Sequence, residues 1–265
     1  MAPPERIHPT ALVDPGAELA DDVRVGAHAM IGADCVIGAG CVIGPHAIVE
    51  GPCRIGRDNR IHSFAVVGGA PQDKKYAGEP TALEIGDRNT IREYVTINRG
   101  TVQDVGVTRL GDDNWIMAYV HIAHDCQLGS HVTIANTVNL AGHVVVEDWA
   151  TLGGYTGVHQ FCKIGAHVMT GIASVVVQDV PTYVLAAGNG ASARGINAEG
   201  LKRRGFDADD LALIKRAYRI LYRSELRLED AKARLADLAA EGDAARRCIG
   251  PLLRFLDGVT RGIVR

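Results

Sequence analysis

Large aliphatic residues recur at every sixth position over most of this chain. One row runs without a polar interruption from Ile7 to Val67, breaks off, and resumes in the same phase from Ile85 to Ile97. A second row, shifted by one residue, runs from Leu110 to Ile164; Thr170 interrupts it and Val176 restores it. Such a fixed short period is typical of a solenoid, in which one repeat buries its apolar face only when neighbouring repeats stack on it.

Each six-residue unit combines a large aliphatic residue with small residues at fixed positions. A small residue often follows the aliphatic one, as in IGADCV and IGAGCV, and the fifth position is usually Ala, Cys, Val or Thr. This predicts a short strand and a tight corner, with the aliphatic and fifth residues pointing inward. Three units would close one coil, and successive coils would lie about 4.8 Å apart, so we expect a parallel β-helix. Five cysteines take the inward fifth position and are expected in the core: Cys35, Cys41, Cys53, Cys126 and Cys162.

The period also predicts where the chain leaves the coils. Two breaks, at residues 68–84 and 99–109, are interpreted as loop excursions, which are often functional when they are long. The period ends near residue 190, so we expect a β-helix over residues 1–190 and an α-helical C-terminal domain over 191–265. Helical spacing begins at Asp207, and Pro251 is expected to open or kink a last helical piece.

Composition narrows the classes of partner and compartment. The 265 residues carry a net charge of -3, so no overall positive charge recruits nucleic acid or an anionic membrane. The N-terminal segment has prolines and charges where a secretory signal needs an apolar run, and no segment approaches the roughly 18 apolar residues of a membrane span. We therefore expect a cytoplasmic protein without a transmembrane segment.

In such a β-helix, residues one coil apart lie above one another and form a column. His124, Gly142 and Gln160 form one column, and Asp125, His143 and Phe161 form the next. The stretch HIAHD is therefore predicted to face outward at a corner, with His121 on the edge that leads into it.

Imidazole accepts and returns protons near neutral pH, and a neighbouring carboxylate favours the tautomer that this requires. A glycine N–H can approach a developing oxyanion closely. These groups favour acyl transfer to a hydroxyl or an amine. Because Cys126 should be buried, the acceptor is expected to attack directly, without a covalent acyl-enzyme.

Two other classes of function fit the same residues. His121, His124 and His143 could supply three imidazoles to a zinc ion with an open site for activated water, as in a hydrolase or hydratase. The second alternative is a structural or binding protein, in which the residues at this corner catalyse no reaction. The spacing of the residues does not decide between these classes.

Several motifs resemble one family over nearly the whole chain. HPTA, KYAGEPT, TINRGT, VHIAHDC, VHQFCKIGAHVM and NAEGLKRRGF are similar to the cytoplasmic UDP-N-acetylglucosamine O-acyltransferases that begin lipid A synthesis, which are left-handed β-helix proteins. The resemblance implies a homotrimer without a metal or another cofactor. It also implies transfer of a 3-hydroxyacyl group from acyl carrier protein to the glucosamine 3-hydroxyl of UDP-N-acetylglucosamine.

The resemblance also implies roles for individual residues. His124 would be the general base, Asp125 would orient it, and the Gly142 N–H would bind the oxyanion. Basic residues of the helical tail would dock the acidic carrier protein. The residues expected to hold sugar and acyl chain are Asp73, Lys75, His121, His143 and Gln160. Those expected to reach the nucleotide or its phosphates are Asn197, Glu199, Arg203 and Arg204.

Two positions depart from the long-chain members of the family. Those members have glycine at the position of Ile172 and histidine at the position of Gly190. Added bulk at Ile172 would shorten an acyl groove, whereas Gly190 would open space near its end. We expect a shorter acyl chain than long-chain members prefer.

Overall fold

The repeating units form a parallel β-helix with three flat faces. The structure is a computed structural model that describes residues 6–265. Face 1 contains β1 (Leu12–Val13), β4 (Met30–Ile31), β7 (Ile48–Val49), β10 (Val66–Gly69), β13 (Thr96–Asn98), β16 (His121–Ile122), β19 (Asn139–Leu140), β22 (Gly157–Val158) and β25 (Val175–Val176). Face 2 contains β2 (Glu18–Leu19), β5 (Cys35–Ile37), β8 (Cys53–Ile55), β11 (Ala82–Ile85), β14 (Val107–Leu110), β17 (Gln127–Leu128), β20 (Val145–Val146) and β23 (Lys163–Ile164). Face 3 contains β3 (Arg24–Val25), β6 (Val42–Ile43), β9 (Arg60–Ile61), β12 (Thr90–Ile91), β15 (Trp115–Ile116), β18 (Thr133–Ile134), β21 (Thr151–Leu152), β24 (Met169–Thr170), β26 (Val184–Ala187) and β27 (Ser192–Ile196).

The aliphatic row of the sequence forms the core. Ile97 pairs with Ile122, Ile122 with Leu140, and Leu140 with Val158, so that equivalent residues of successive coils stack on face 1. Burial of each side chain of this size contributes roughly 1.5–3 kcal/mol to the free energy of folding. The inward placement of the five cysteines is confirmed, since all are buried and unpaired.

Three corner columns connect the faces, and each is built on left-handed backbone. The first corner, between faces 1 and 2, carries Asp125, His143 and Phe161 with φ of 60°, 64° and 65°. This conformation costs a non-glycine residue roughly 1–2 kcal/mol. Backbone hydrogen bonds between coils offset that cost: the His143 N–H donates to the His124 carbonyl and the Phe161 N–H to the Gly142 carbonyl. The corner side chains therefore keep one direction from coil to coil.

Both loop excursions leave the β-helix at the first corner. The chain runs outside the coils over residues 70–81, between β10 on face 1 and β11 on face 2. It does so again over residues 99–106, between β13 on face 1 and β14 on face 2. These segments lie inside the predicted excursions. His124 lies at the same corner, one coil after the second excursion and two coils after the first, and both loops reach its surroundings.

The C-terminal part is a four-helix unit with its own apolar core. The predicted boundary at residue 190 falls inside the antiparallel hairpin of β26 and β27. Pro251 does not open a separate helical piece, because α4 is one helix that contains this proline; the alternative expectation, a kink, stays a prediction. Within residues 6–265, no helix is long and apolar enough to cross a membrane. The helices are α1 (Ala198–Arg203), α2 (Ala208–Arg223), α3 (Leu228–Ala239) and α4 (Asp243–Asp257).

Candidate active site

A cleft of about 510 Å³ lies at the first corner, beneath the two loops. It brings together five of the predicted site residues, two from the loop over residues 70–81 and three from successive coils of the β-helix. Three aromatic or imidazole rings, two carboxylates of the loops and a lysine are among the groups that surround it. Its lining consists of Asp73, Lys75, Gln103, Asp104, His124, His143, Gln160 and Phe161.

His124 and Asp125 form a hydrogen-bonded pair at one wall of this cleft. The His124 Nδ1 lies 2.9 Å from Asp125 Oδ2. An ionised carboxylate only accepts hydrogen bonds, so Nδ1 carries the proton and Nε2 is the basic ring nitrogen. The repeat places Asp125 at an outward corner, yet its side chain is 0% exposed to solvent. The loop over residues 99–106 covers it, and both its oxygens accept hydrogen bonds from Thr101.

Gly142 contacts the imidazole of His124 so closely that a side chain would not fit. A Cβ at this position would lie 2.6 Å from His124 Cε1 and 2.8 Å from Nε2. Within residues 6–265, the Gly142 N–H donates to no protein acceptor. The glycine therefore leaves room for the ring, and its own N–H stays without a protein acceptor.

His143 is held on three sides. Its Nδ1 lies 2.6 Å from Asp104 Oδ2, a contact between a corner residue and the tip of the loop over residues 99–106. Its ring stacks on Phe161 with centroids 4.3 Å apart and meets His124 edge to face at 5.0 Å. His143 thus presents its remaining ring nitrogen in a defined direction.

His121 lies on β16, beside the cleft lining. Its Nδ1 is 2.8 Å from Thr96 Oγ1. Burial, with a smaller effect of the nearby His124 charge, lowers the pKa of His121. The shift favours the neutral form of His121, which can donate or accept a hydrogen bond without a charge.

In the loop over residues 70–81, the carboxylate of Asp73 accepts a hydrogen bond from the Lys75 backbone N–H at 2.9 Å. This Asx-type turn fixes the loop locally. It holds Asp73 and Lys75 at the cleft without using the ammonium group of Lys75, which is exposed.

The four residues predicted for the nucleotide lie around the second corner, between faces 2 and 3. Arg204 lies over the Trp149 ring at 5.3 Å and burial lowers its pKa. Asn197 is buried, and its side chain bonds the His167 carbonyl and the Gly200 N–H. The other two are exposed: Arg203, and Glu199, whose carboxylate binds Lys202 at 2.8 Å.

The two positions associated with acyl length lie toward the C-terminal end of the β-helix. Ile172 is 75% exposed at the third corner, between faces 3 and 1. Gly190 lies in the β26–β27 hairpin, and a Cβ there would meet no atom within 4 Å. The side chain of Ile172 is thus exposed to solvent, and the space next to Gly190 is open.

Among the described residues, one group has the donors to hold a metal ion. This group is His124, Asp125 and His143; each offers one ligand atom, and the three atoms lie within 4.8 Å of one another. The Asp125 oxygens, however, already accept hydrogen bonds from Thr101 and His124. These hydrogen bonds orient the imidazole of His124, so the three residues also form a hydrogen-bonded group in their own right.

The sequence patterns did not single out Thr101, Gln103 and Asp104. All three lie in the second predicted excursion, so the loop itself was recognised. The signal that could have found them is strand order: a loop that joins face 1 to face 2 must leave at the corner that later carries His124.

Comparison with known proteins agrees with this architecture. Residues 34–69 and 108–142 match the family described as bacterial transferase hexapeptide (six repeats). Residues 179–264 match the family described as UDP N-acetylglucosamine O-acyltransferase, domain 2. The acyl-(acyl-carrier-protein)-UDP-N-acetylglucosamine O-acyltransferase of Janthinobacterium sp. (strain Marseille) is 60% identical over 259 residues, which cover 98% of this chain and 99% of the relative. The protein of the same name from Herminiimonas arsenicoxydans is 59% identical over 98% of this chain and 99% of its own length.

Solved structures lead to the same assignment. The UDP-N-acetylglucosamine O-acyltransferase of Moraxella catarrhalis superposes with a TM-score of 0.95 at 44% identity, covering 98% of this chain and 100% of that one. Fold and similarity thus define an acyltransferase of the left-handed β-helix class, as the family resemblance implied. The match includes the helical tail in addition to the coils. The chain belongs to the family of acyl-(acyl-carrier-protein)-UDP-N-acetylglucosamine O-acyltransferases.

Proposed function

We propose that this enzyme transfers a 3-hydroxyacyl group from acyl carrier protein to the glucosamine 3-hydroxyl of UDP-N-acetylglucosamine, the first step of lipid A synthesis. Family membership supports the reaction, and the 2.9 Å His124–Asp125 hydrogen bond carries the mechanism. It leaves Nε2 of His124 as a base beside a cleft that is lined, apart from Phe161, by polar side chains.

In this mechanism His124 Nε2 removes the proton of the sugar hydroxyl as its oxygen attacks the thioester carbonyl. A carbon–oxygen bond forms, and the N–H of Gly142 binds the negative charge that develops on the carbonyl oxygen. When the carbon–sulfur bond breaks, the imidazolium of His124 returns its proton to the leaving thiolate. Asp125 stabilises the imidazolium between these steps, and no covalent acyl-enzyme forms.

The substrates lie along the first corner. Asp73, Lys75 and Gln160 hydrogen-bond the sugar nucleotide from the cleft wall. His143 and His121 hydrogen-bond the substrates through imidazoles whose Nδ1 atoms are already engaged by Asp104 and Thr96. Each histidine therefore offers one remaining ring nitrogen to the substrates.

The active enzyme is a homotrimer, in which each nucleotide site combines residues of two protomers. Exposed aromatic side chains support this, since Tyr94, Tyr119 and Tyr155 at the third corner are 46%, 58% and 64% exposed. Such a patch marks an interface between proteins. The second-corner group around Arg204 then approaches the first corner of a neighbour.

In that neighbour's site Asn197, Glu199, Arg203 and Arg204 bind the nucleotide and its phosphates. Light scattering tests the assembly: we expect three chains of 28.2 kDa for the native protein. A dissociated Tyr119→Glu variant supports the patch as the interface. A monomeric native enzyme with full activity contradicts the trimer.

Acyl carrier protein docks on the basic face of α2, which carries Lys215, Arg216, Arg219 and Arg223. The proposed reaction with acyl carrier protein supports a cytoplasmic location for the enzyme. Charge complementarity of this kind raises the rate of encounter, so added salt should raise the KM for the carrier protein more than it lowers kcat.

The decisive experiment incubates the enzyme with UDP-N-acetylglucosamine and a series of 3-hydroxyacyl carrier proteins, and measures the product mass. We expect a mass increase of one hydroxyacyl group. His124→Ala should lower kcat roughly 10²- to 10⁴-fold, the range for a lost general base. His8→Ala, which removes an exposed imidazole near the N-terminus, should retain the native rate. A His124→Ala enzyme with near-native kcat refutes the proposed base.

A further inference from the structure

The carboxylate of Asp125 depends on one residue of the loop over residues 99–106. It is fully buried, and a buried carboxylate costs several kcal/mol unless hydrogen bonds satisfy it. Thr101 donates its N–H to both oxygens at 3.0 Å and its hydroxyl to Oδ2 at 2.6 Å. His124 Nδ1–H is the third donor, also on Oδ2. Thr101 thus supplies two of the three donor groups.

The loop holds Thr101 rigidly. The Gly100 N–H donates to the Ala82 carbonyl at 3.1 Å, and a Cβ on Gly100 would lie 2.2 Å from the Val107 nitrogen, so the two ends of the loop are in close contact. On the other side, Thr108 Oγ1 accepts the backbone N–H of Asp125 at 2.8 Å. The loop base is therefore fastened to the residue whose carboxylate Thr101 binds.

We propose that Thr101 is a positioning residue for acyl transfer: its hydroxyl holds the Asp125 carboxylate where it accepts the Nδ1–H of His124. The inference rests on the proposed role of His124 as the base. A carboxylate in this position keeps the imidazole in the productive tautomer. In hydrolases with such a pair, loss of that tautomer lowers kcat by up to about 10⁴-fold. Without the hydroxyl, Oδ2 loses one of its three donors, the closest of them, and the carboxylate can rotate about its remaining contacts.

The test compares Thr101→Val, which keeps shape and backbone N–H but lacks the hydroxyl, with Thr101→Ser, which restores it. For the valine variant we expect a fall in kcat of about tenfold, the size of one hydrogen bond, with both KM values within about twofold of native. The serine variant should recover most of the rate. Thr156→Val is the matched control, since it removes another buried threonine hydroxyl, bonded to the Gly153 carbonyl at the third corner.

A second readout does not depend on turnover. Nitrogen-15 spectra of histidine-labelled enzyme should show the Nδ1–H tautomer for His124 in the native protein and a mixture of tautomers in Thr101→Val. Native kcat and an unchanged tautomer in the valine variant overturn the proposal, as does a serine variant as slow as valine. Thr101→Ala serves in place of valine if urea unfolding shows that valine does not fold. If His124→Ala turns over normally, the proposed base fails, while the spectra still decide the role of Thr101.

Discussion

Replacing Gly142 by alanine places a methyl group against the proposed base. The added Cβ would lie 2.6 Å from Cε1, 2.8 Å from Nε2 and 3.2 Å from Nδ1 of His124. Gly142 is not among the residues with positive φ, so alanine adds no backbone strain. The whole effect therefore comes from the contact with one imidazole.

The size of the effect follows from that contact. Carbon atoms pack without repulsion at about 3.5–4.0 Å, so the ring must move by about 1 Å. Its Nδ1 is tied to Asp125 and its edge rests on His143, so the movement displaces Nε2. A displacement of about 1 Å costs on the order of 10²-fold in rate, or about 2.7 kcal/mol in the barrier. Overpacking should also lower the free energy of unfolding by about 1–3 kcal/mol.

Thioester release from acyl carrier protein measures the rate, and urea unfolding measures stability. Gly250→Ala is the control, because it adds the same methyl group inside α4 and should stabilise the protein without changing kcat. In a His124→Ala background the methyl group meets no ring, so Gly142→Ala should then cost little stability. Equal stability losses in both backgrounds, or a native kcat in Gly142→Ala, would refute the steric coupling.

Three further predictions concern other parts of the structure. Asp104→Asn weakens the 2.6 Å contact with His143 and should raise the KM for the sugar nucleotide several-fold with little change in kcat; a kcat effect alone contradicts this. Ile172→Gly should move the preferred acyl chain to longer hydroxyacyl groups in the product-mass assay, and an unchanged preference removes Ile172 as a determinant. Burial and, secondarily, Arg204 lower the pKa of His167 to about 4 from 6.5. The neutral form therefore stabilises the fold fully above pH 6.5, and up to about 3 kcal/mol, less after solvent screening, is lost as the pH falls toward 4. His167→Asn should flatten this part of the unfolding curve, and an unchanged slope contradicts the assignment.

The amino-acid sequence alone determined the repeating part of the protein. A strict six-residue period prescribes which side chains point inward, so the β-helix, the buried cysteines and the His124–Gly142–Gln160 column could all be predicted. The reason is that side-chain direction in a regular backbone depends on position within the repeat and on nothing distant. The family resemblance then turned proton chemistry at a corner into a specific acyl transfer.

Only the tertiary structure decided how the two loops complete the site. Thr101 meets Asp125 across 24 positions of the chain, and Asp104 meets His143 across 39. Neither contact belongs to a period, because the path of a loop depends on what it packs against. For the same reason the burial of Asp125 was missed: its position in the repeat faces outward, and the loop that covers it comes from an earlier coil. The coils thus follow from the local pattern, whereas the surroundings of Asp125 and Asp104 in the candidate site follow from contacts between distant segments.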